Sequence, residues 1–482
     1  MLLGLDLGTG SAKALLMAED GATLGEGSAS YPVRSPRPGW AESSPGDWWN
    51  AVVDATRDAV GPRGAEVAAV GLSGQMHGVV LTEDHGCPSR PAVLWADTRS
   101  GEQLAAYRGL DDDARARLAN PPAVGMAGPT LLWLRDHEPE AYASARWALQ
   151  PKDWLRLRLT GEDAAEPSDA SATLLYDLRS DAWDYPVVEA LGLRPGLLAP
   201  LVASADAAGT LTREAAEHLR LRAGLPVAAG AGDTAAAMLG GGLLRPGLVQ
   251  LTVGTGGQIV APKSEPGLDP HLRTHLYRAA MPDLWYSMAA IQNAGLALEW
   301  ARETLGATWD DVYEEAFAVP PGAGGVVFLP YLSGERTPRF DPDARGAWAG
   351  LGLDHGRGHL LRAALEGVAF ALREGLEALE EAGTRVPELR LAGGGTVEES
   401  WRQLLADVLG RPLRVLPGML AAVASARGAA LLAGAASGVY RSPEDTLAFA
   451  PDPDRTVRPG EASGAYEEAY VRYRGLYTRL YG

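Results

Sequence analysis

"LDLGTGSAK", residues Leu5 to Lys13, sets one carboxylate inside a run of small and apolar residues, then a Gly-Thr-Gly turn and one of the chain's three lysines. By alternation, Leu3, Leu5 and Leu7 point to one side and Gly4, Asp6 and Gly8 to the other. The leucines suit a core, and Asp6 stands on a face cleared of bulk by its glycine neighbours. The following "SAKALLMAEDG" reads as a second strand closing at Asp20-Gly21, or as a short helix completing a strand–turn–helix nucleotide fold. A second copy decides. "LVQLTVGTGGQIVAP", residues 248–262, is again strand, Gly-Thr-Gly and a β-branched run, stopped by Pro262 and too short for a helix. Both are therefore read as glycine-turn hairpins, one opening each half of a duplicated α/β chain. The boundary is expected near "GGGLLRPG", residues 240–247, giving domains 1–242 and 243–482.

With 482 residues, 46% apolar and 22% charged, the chain can build two or three ordinary cores. A formal charge of −18 argues against nucleic acid or an anionic membrane as partner. The only cysteine, Cys87, fits a reducing cytoplasm. "MLLGLDLGTG" lacks the basic start of a signal peptide, and no run reaches the ~18 apolar residues of a membrane span. Elsewhere short apolar runs alternate with helical stretches. "VAAVGLSGQMHGVVL" and "PAVLWADTRS" read as strands ending in polar loops. "TLLWLRDHEPEAYA" and "LLRAALEGVAFALREGLEALEEAG" read as long helices.

Asp233, in "AGAGDTAAAMLGGG", stands at a strand-to-helix junction. It reads either as a helix N-cap or, with small residues on both sides, as a carboxylate for metal binding or base catalysis. The turns at 8–10 and 254–257 present successive N–H groups, with the Thr9, Ser11 and Thr255 hydroxyls and the Lys13 charge beside them, which suits phosphate oxygens. A tight hairpin needs glycine in any case. "LRLAGGGTVEESWRQLLADVLGRPL" reads as strand, triple glycine and helix, with Thr396 and Glu399 in capping-box spacing. Gly393–Gly395 let a nucleotide approach the backbone. "SGQMHG" places Met76 and His77 in a loop. "WADTRS" (Trp95, Asp97, Arg99) and "LPYLSGERTPRF" (Glu335, Arg336) are polar loops that serve equally as surface ion pairs or sugar-binding groups. P-loop, protein-kinase and zinc signatures are absent from the sequence.

Together the two hairpins, the glycine–helix site and Asp233 resemble the FGGY carbohydrate kinases. "SGQMHG", "PKDWLRLRLTGE", "FLPYLSGERTP", "WRQLLADVLG" and "GAWAGLGLDHGRGHLLRAALEGVAFAL" match patterns of that family, most closely its D-xylulose-phosphorylating branch. The resemblance runs from Leu2 into the 430s. It implies two ribonuclease-H-like domains of the actin and sugar-kinase type around a cleft, with ATP and Mg²⁺ phosphorylating O5 of D-xylulose. Position by position, it makes Asp233 the general base and Asp6 the carboxylate near Mg²⁺, both lying at the metal. Met76, His77, Asp233 and Thr234 would contact the sugar. Thr9, Gly10, Ser11, Lys13, Thr255 and Gly256 would face phosphates, and Gly295, Gly394 and Gly395 the nucleotide. Departures are Thr234 where Asn is frequent, Thr130 where Lys is frequent, and Gly-Thr-Gly-Ser in place of Gly-Thr-Ser-Gly. Another sugar kinase of the family (acting on ribulose, gluconate or rhamnulose) and an actin-like ATPase that phosphorylates nothing are the alternatives. The assembly stays open between a monomer and a homodimer.

Overall fold

The structure is a computed structural model that describes residues 1–441 and 443–482. In the first half, β1 (Leu2–Leu7), β2 (Ser11–Met17) and β3 (Thr23–Ser30) are followed by α1 (Pro45–Val60) and β4 (Ala69–Gly74). Helices α2 (Ala127–His137), α3 (Pro139–Ser144) and α4 (Pro151–Thr160) lead to β5 (Ala207–Thr210), β6 (Pro226–Ala228), the short β7 (Ala231–Gly232) and α5 (Asp233–Gly240). The second half opens with β8 (Gln250–Val253), β9 (Gly257–Lys263), β10 (His275–Arg278), β11 (Trp285–Ile291) and α6 (Gly295–Thr304). It continues with α7 (Arg357–Glu381), β12 (Leu389–Ala392), α8 (Glu399–Leu409), β13 (Leu413–Val415), α9 (Gly418–Ala436) and β14 (Arg455–Val457).

Both Gly-Thr-Gly segments are hairpins. Asp6 pairs with Lys13 across β1 and β2, and Thr252 pairs with Gln258 across β8 and β9. The first sheet runs β5-β6-β4-β1-β2-β3 and the second runs β10-β11-β9-β8-β12-β13-β14. Aligning β1 with β8 superposes the order and the directions: antiparallel to the hairpin partner, parallel to β4 or β12, then parallel to β6 or β13. These are the two ribonuclease-H-like halves of the expected α/β duplication. Among the described residues, no helix is long and apolar enough to cross a membrane.

Leu3, Leu5 and Leu7 are buried with Ala12, Ala14 and Leu16 of β2 and Trp48 and Val52 of α1. Each such leucine contributes roughly 1.5–3 kcal/mol relative to exposure. The opposite face carries the correction. A Cβ on Gly4 would lie 1.9 Å from the Ala426 carbonyl oxygen, and one on Gly71 would lie 1.9 Å from that of Ala429. Both glycines therefore clear room for the backbone of α9, which comes from the second half, and only the Asp6 end of β1 is left for a ligand. Helices α5 and α9 seat each other in the same way: a Cβ on Gly428 would meet Ala236 O at 1.9 Å, and one on Gly240 would meet Ala424 O at 2.1 Å. The apolar cluster around this crossing joins Leu2, Leu15, Met238, Ala426 and Ala430 to Tyr286 and Met288 of the second sheet.

Three local expectations change. "TLLWLRDHEPEAYA" is two helices, because Pro139 lacks an N–H and Glu138 before it leaves helical geometry at φ −129° and ψ 56°. Strand β9 runs through Pro262 to Lys263; past Val260 it has no β8 partner, so a residue without an N–H costs no ladder bond on that side. Thr396 and Glu399 form no capping box. The Thr396 hydroxyl donates back to Gly393 O at 2.8 Å, and Glu398 caps α8 by accepting from the Ser400 amide.

Substituting Gly71→Ala should destabilise the protein by about 1–3 kcal/mol through overpacking against α9. Gly196→Ala, where nothing lies within 4 Å of the new Cβ, should stay within about 0.5 kcal/mol of the parent. Urea unfolding of the two variants beside the parent checks this.

Candidate active site

The C-terminal ends of β1 and β4 and the β7–α5 junction bring Asp6, Ser73 and Asp233 together. Ser73 lies beside Asp6 in register and its hydroxyl donates to Asp6 Oδ1 at 2.9 Å. Burial pushes the Asp6 carboxyl up, against the pull of the Ser73 hydrogen bond and the Lys13 charge. Burial first and the Asp6 charge second push Asp233 up to about 6. Asp233 is not a cap: Gly232 holds the N-cap position, and Asp233 Oδ1 accepts from the amide of Thr234 at 2.6 Å and its hydroxyl at 3.2 Å. The Asp233 carbonyl accepts from Ser425 of α9 at 3.1 Å. A carboxylate in this setting is a stronger base than one in water.

The first hairpin's tip is pinned from three sides. Tyr31 and Gln75 both donate to Gly8 O, and Trp95 Nε1 donates to Thr9 Oγ1 at 2.8 Å. The Gly8 amide bonds Ser11 O, whereas the amides of Thr9 and Gly10 take no backbone carbonyl among the described residues. Lys13 sits across from Asp6 on the same face. In the second half, Gly393, at φ 103°, lies so close to β8 that a Cβ there would meet Val253 O at 2.2 Å. The triple-glycine loop is thereby set beside the Thr255–Gly256 turn, with Gly394 open. Gly295 packs directly on the second hairpin. The amides of Ala294, Gly295 and Leu296 donate to carbonyls of Gly254 and Thr255, so the start of α6 braces the hairpin with those groups.

Met76 and His77 lie next to this centre. A Cβ on Gly232 would meet Met76 Cγ at 2.9 Å, and Tyr286 OH approaches Met76 Sδ at 3.8 Å. His77 adopts φ 70°, a conformation non-glycine residues seldom occupy. Its Nδ1 lies 2.8 Å from Ala172 O, and burial, the largest influence, lowers its pKa to about 4. The ring is neutral at pH 7, so Nδ1–H donates to the carbonyl and Nε2 keeps its lone pair as an acceptor. Beneath the loop, Lys152 is fully buried, with Asp153 at 2.7 Å, Asp169 at 3.1 Å and Glu166 at 3.2 Å. Arg156 adds a second cation, 2.8 Å from Asp153. Burial drives the Asp169 carboxyl up, against the pull of the Lys152 charge. Ser168 accepts from the Gly232 amide at 2.9 Å, tying this cluster to the residue before Asp233.

The two polar loops divide. Asp97 and Arg99 form a buried ion pair at 2.7 Å shared with Glu42, a structural device, while Trp95 of the same motif reaches the hairpin. Glu335 and Arg336 make no ion pair with each other. Glu335 Oε1 accepts the amides of Gln292 and Arg336, and burial pushes it up to about 8. Ser73, Gln75, Tyr31 and Ser425 escaped sequence reading because each is a common residue whose role appears only when the strands are paired.

Models for the N-terminal and C-terminal domains of the FGGY family of carbohydrate kinases match residues 1–240 and 249–437. The xylulose kinase of Escherichia coli (strain K12) is 34% identical over 483 residues, spanning 100% of this chain and 99% of the relative. The crystal structure of a xyloylose kinase from Brucella ovis superposes with a TM-score of 0.92 at 38% identity, covering 99% of both chains. That of xylulose kinase from Rhodospirillum rubrum gives 0.90 at 31% identity, covering 99% of this chain and 98% of the other.

The His77 ring makes a signed prediction. Its folded pKa of about 4 lies below the ordinary histidine value of 6.5, so between these values the unfolded chain binds a proton that the folded chain refuses. The ring's contribution is therefore complete above about pH 6.5 and is lost as pH falls through that window. In His77→Asn, which tolerates the positive φ, the stability lost between pH 7 and pH 5 should shrink by on the order of 1 kcal/mol. Urea midpoints at the two pH values measure it.

Proposed function

The chain belongs to the FGGY family of carbohydrate kinases, and from that premise we propose that it transfers the γ-phosphoryl group of ATP to O5 of D-xylulose. The products are D-xylulose 5-phosphate and ADP. The observation that carries this reading is the coupled pair Asp6 and Asp233 at the head of a phosphate-type hairpin, beside a Met76–His77 loop. Whole-length similarity to xylulose kinases supports the choice of sugar.

Asp233 takes the proton of the O5 hydroxyl as that oxygen bonds to the γ-phosphorus and the bond to ADP breaks. A base raised to about 6 is mostly ionised at pH 7 yet keeps more proton affinity than a free aspartate. His77 Nε2 accepts a sugar hydroxyl, and Met76 packs against the carbon chain. Thr234 serves Asp233 with both its polar groups, so its sugar contact is weaker than the frequent Asn would give. The amides of Thr9 and Gly10, with Ser11, Lys13, Thr255 and Gly256, hold phosphate oxygens, and Gly394 and Gly395 border the nucleotide. The first half thus supplies sugar and base, the second supplies the nucleotide site, and the reaction belongs in the cytoplasm.

Mg²⁺ fits the residues present. Among the described residues no group of three or more metal-ligating side chains exists, so an all-protein cage is not on offer. Magnesium at such centres is held by one or two carboxylates together with substrate phosphates. Asp6 and Asp233, two desolvated carboxylates that repel each other, match that mode. Bound there, the ion would neutralise charge on the phosphates and on the pair.

Coupled ADP release should show higher kcat/KM with D-xylulose than with D-ribulose or glycerol; glycerol turned over equally well would refute the sugar assignment. Asp233→Asn should lower kcat by about 10²–10⁴-fold. The folded pKa of about 6 exceeds the ordinary 3.8, so stability is lost as pH rises from about 3.8 through 6 and the ionised form carries that cost at pH 7. The same variant should therefore melt at or above the parent's temperature at pH 7. More than a tenth of parental kcat in that variant would remove Asp233 as the base.

A further inference from the structure

Arg336 extends from the loop after the Val327–Leu329 strand of the second half, and its guanidinium carbon lies 5.5 Å from the ring centre of Trp95 in the first half. Its charge also acts on His77, His275 and Tyr277. None of these neighbours carries an opposite charge. His77 and His275 are held neutral by burial, and burial keeps the Tyr277 phenol protonated. The adjacent carboxyl, Glu335, turns its Oε1 to two backbone amides and makes no ion pair with Arg336, although each feels the charge of the other. Among the described residues, Arg336 makes no ion pair, and burial lowers its pKa. Among the buried arginines, Arg99 pairs with Asp97 and Glu42, Arg156 with Asp153 and Arg362 with Glu366, while Arg390 and Arg427 donate to backbone carbonyls; the Arg336 side chain has neither kind of partner among the described residues. A cation beside the Met76–His77 loop that keeps part of its surface in water, and whose guanidinium no carbonyl or carboxylate accepts, has its donors available to a ligand.

The position selects the ligand's end. Met76 abuts Gly232 next to Asp233, and from Met76 a line of rings runs through Tyr286 and Tyr277 to His77. Arg336 lies at the His77 end. A sugar whose reacting hydroxyl meets Asp233 extends its other end toward that side. There His77 Nε2 accepts a hydroxyl proton, whereas a guanidinium donates only and matches an oxygen that only accepts.

We propose that Arg336 is a sugar-binding residue contributed by the second half, donating to the C2 carbonyl of the ketose and so distinguishing it from the corresponding polyol. This rests on the reading of the protein as a ketose kinase and adds the residue that recognises the keto group. It also gives the sugar one contact on each side of the cleft.

The test compares the parent with Arg336→Met, which keeps the stem and removes the charge, and Arg336→Lys, which keeps the charge without the fork. Calorimetric Kd values for D-xylulose and xylitol, KM for both substrates, and melting with and without D-xylulose are read. Arg336→Met should bind D-xylulose at least tenfold more weakly, with KM for MgATP within twofold of the parent. Its preference for D-xylulose over xylitol should collapse, and the sugar-induced rise in Tm should shrink accordingly. The ligand-free Tm should hold or rise, because no ion pair is broken. Arg336→Lys should fall between. Sugar affinity within twofold of the parent, an unchanged ketose-to-polyol ratio, or a lower Tm with equal losses for sugar and nucleotide would overturn the proposal. Parental turnover of D-xylonate above that of D-xylulose would overturn the carbonyl assignment. A parent that ignores D-xylulose but phosphorylates another ketose fails the substrate reading alone, and the same comparison then applies to that ketose and its polyol.

Discussion

Backbone laid on backbone organises this protein. Helix α9 rests on glycines of β1 and β4 so closely that a single methyl group at Gly4 or Gly71 would fall 1.9 Å from a carbonyl oxygen. Helices α5 and α9 repeat the arrangement on each other through Gly240 and Gly428. Such contacts fix the distance between elements more tightly than interdigitated side chains, because no rotamer can adjust to a shift. The consequence reaches the chemistry. Helix α9 follows β13 of the second sheet in the chain, lies on the first sheet, and holds the backbone of Asp233 through Ser425. The candidate base is therefore clamped between the halves, and a movement of one against the other is felt at its main chain.

The electrostatics follow from that clamping. Burial is the largest influence on both carboxylates, and it drives each of them up. The cost is borne locally by Ser73 and the Thr234 amide and hydroxyl, which stabilise the ionised forms without neutralising them. Beneath the site the opposite solution is used. Lys152 and Arg156 are met by the surrounding carboxylates of Asp153, Glu166 and Asp169. The Lys152 cluster answers buried charge with opposite charge, whereas Asp6 and Asp233 are eased by hydrogen bonds and, at Asp6, by the Lys13 charge.

How much of this could be read in the sequence depends on the range of the interaction. Both hairpins and the duplication were legible, because Gly-Thr-Gly between apolar runs is a local signal and occurs twice. The alternation of leucines in β1 correctly assigned its core face. The purpose of Gly4 was misread because its reason is a helix some four hundred residues away, and a glycine cleared for backbone looks the same as one cleared for a ligand. Capping-box spacing at Thr396 misled for a related reason. The glycine loop continues through a tight turn to Thr396, so the helix begins at Glu399 and the hydroxyl is used within the turn. Motif spelling could not separate Asp97–Arg99, a buried ion pair, from Glu335–Arg336, which never pair.

The duplication is structural and its chemistry is one-sided. Position by position, Asp6 of β1 corresponds to Thr252 of β8, and Ser73 of β4 to Ala392 of β12. The second copy thus keeps the turn and loses both the carboxylate and the hydroxyl that steadies it. A cleft that must gather several phosphate oxygens gains from two sets of backbone amides. It would lose from a second buried carboxylate facing the same anions, since like charges in a desolvated site repel strongly. The asymmetry between Asp6 and Thr252 therefore leaves the second hairpin with its turn and without a buried carboxylate beside it.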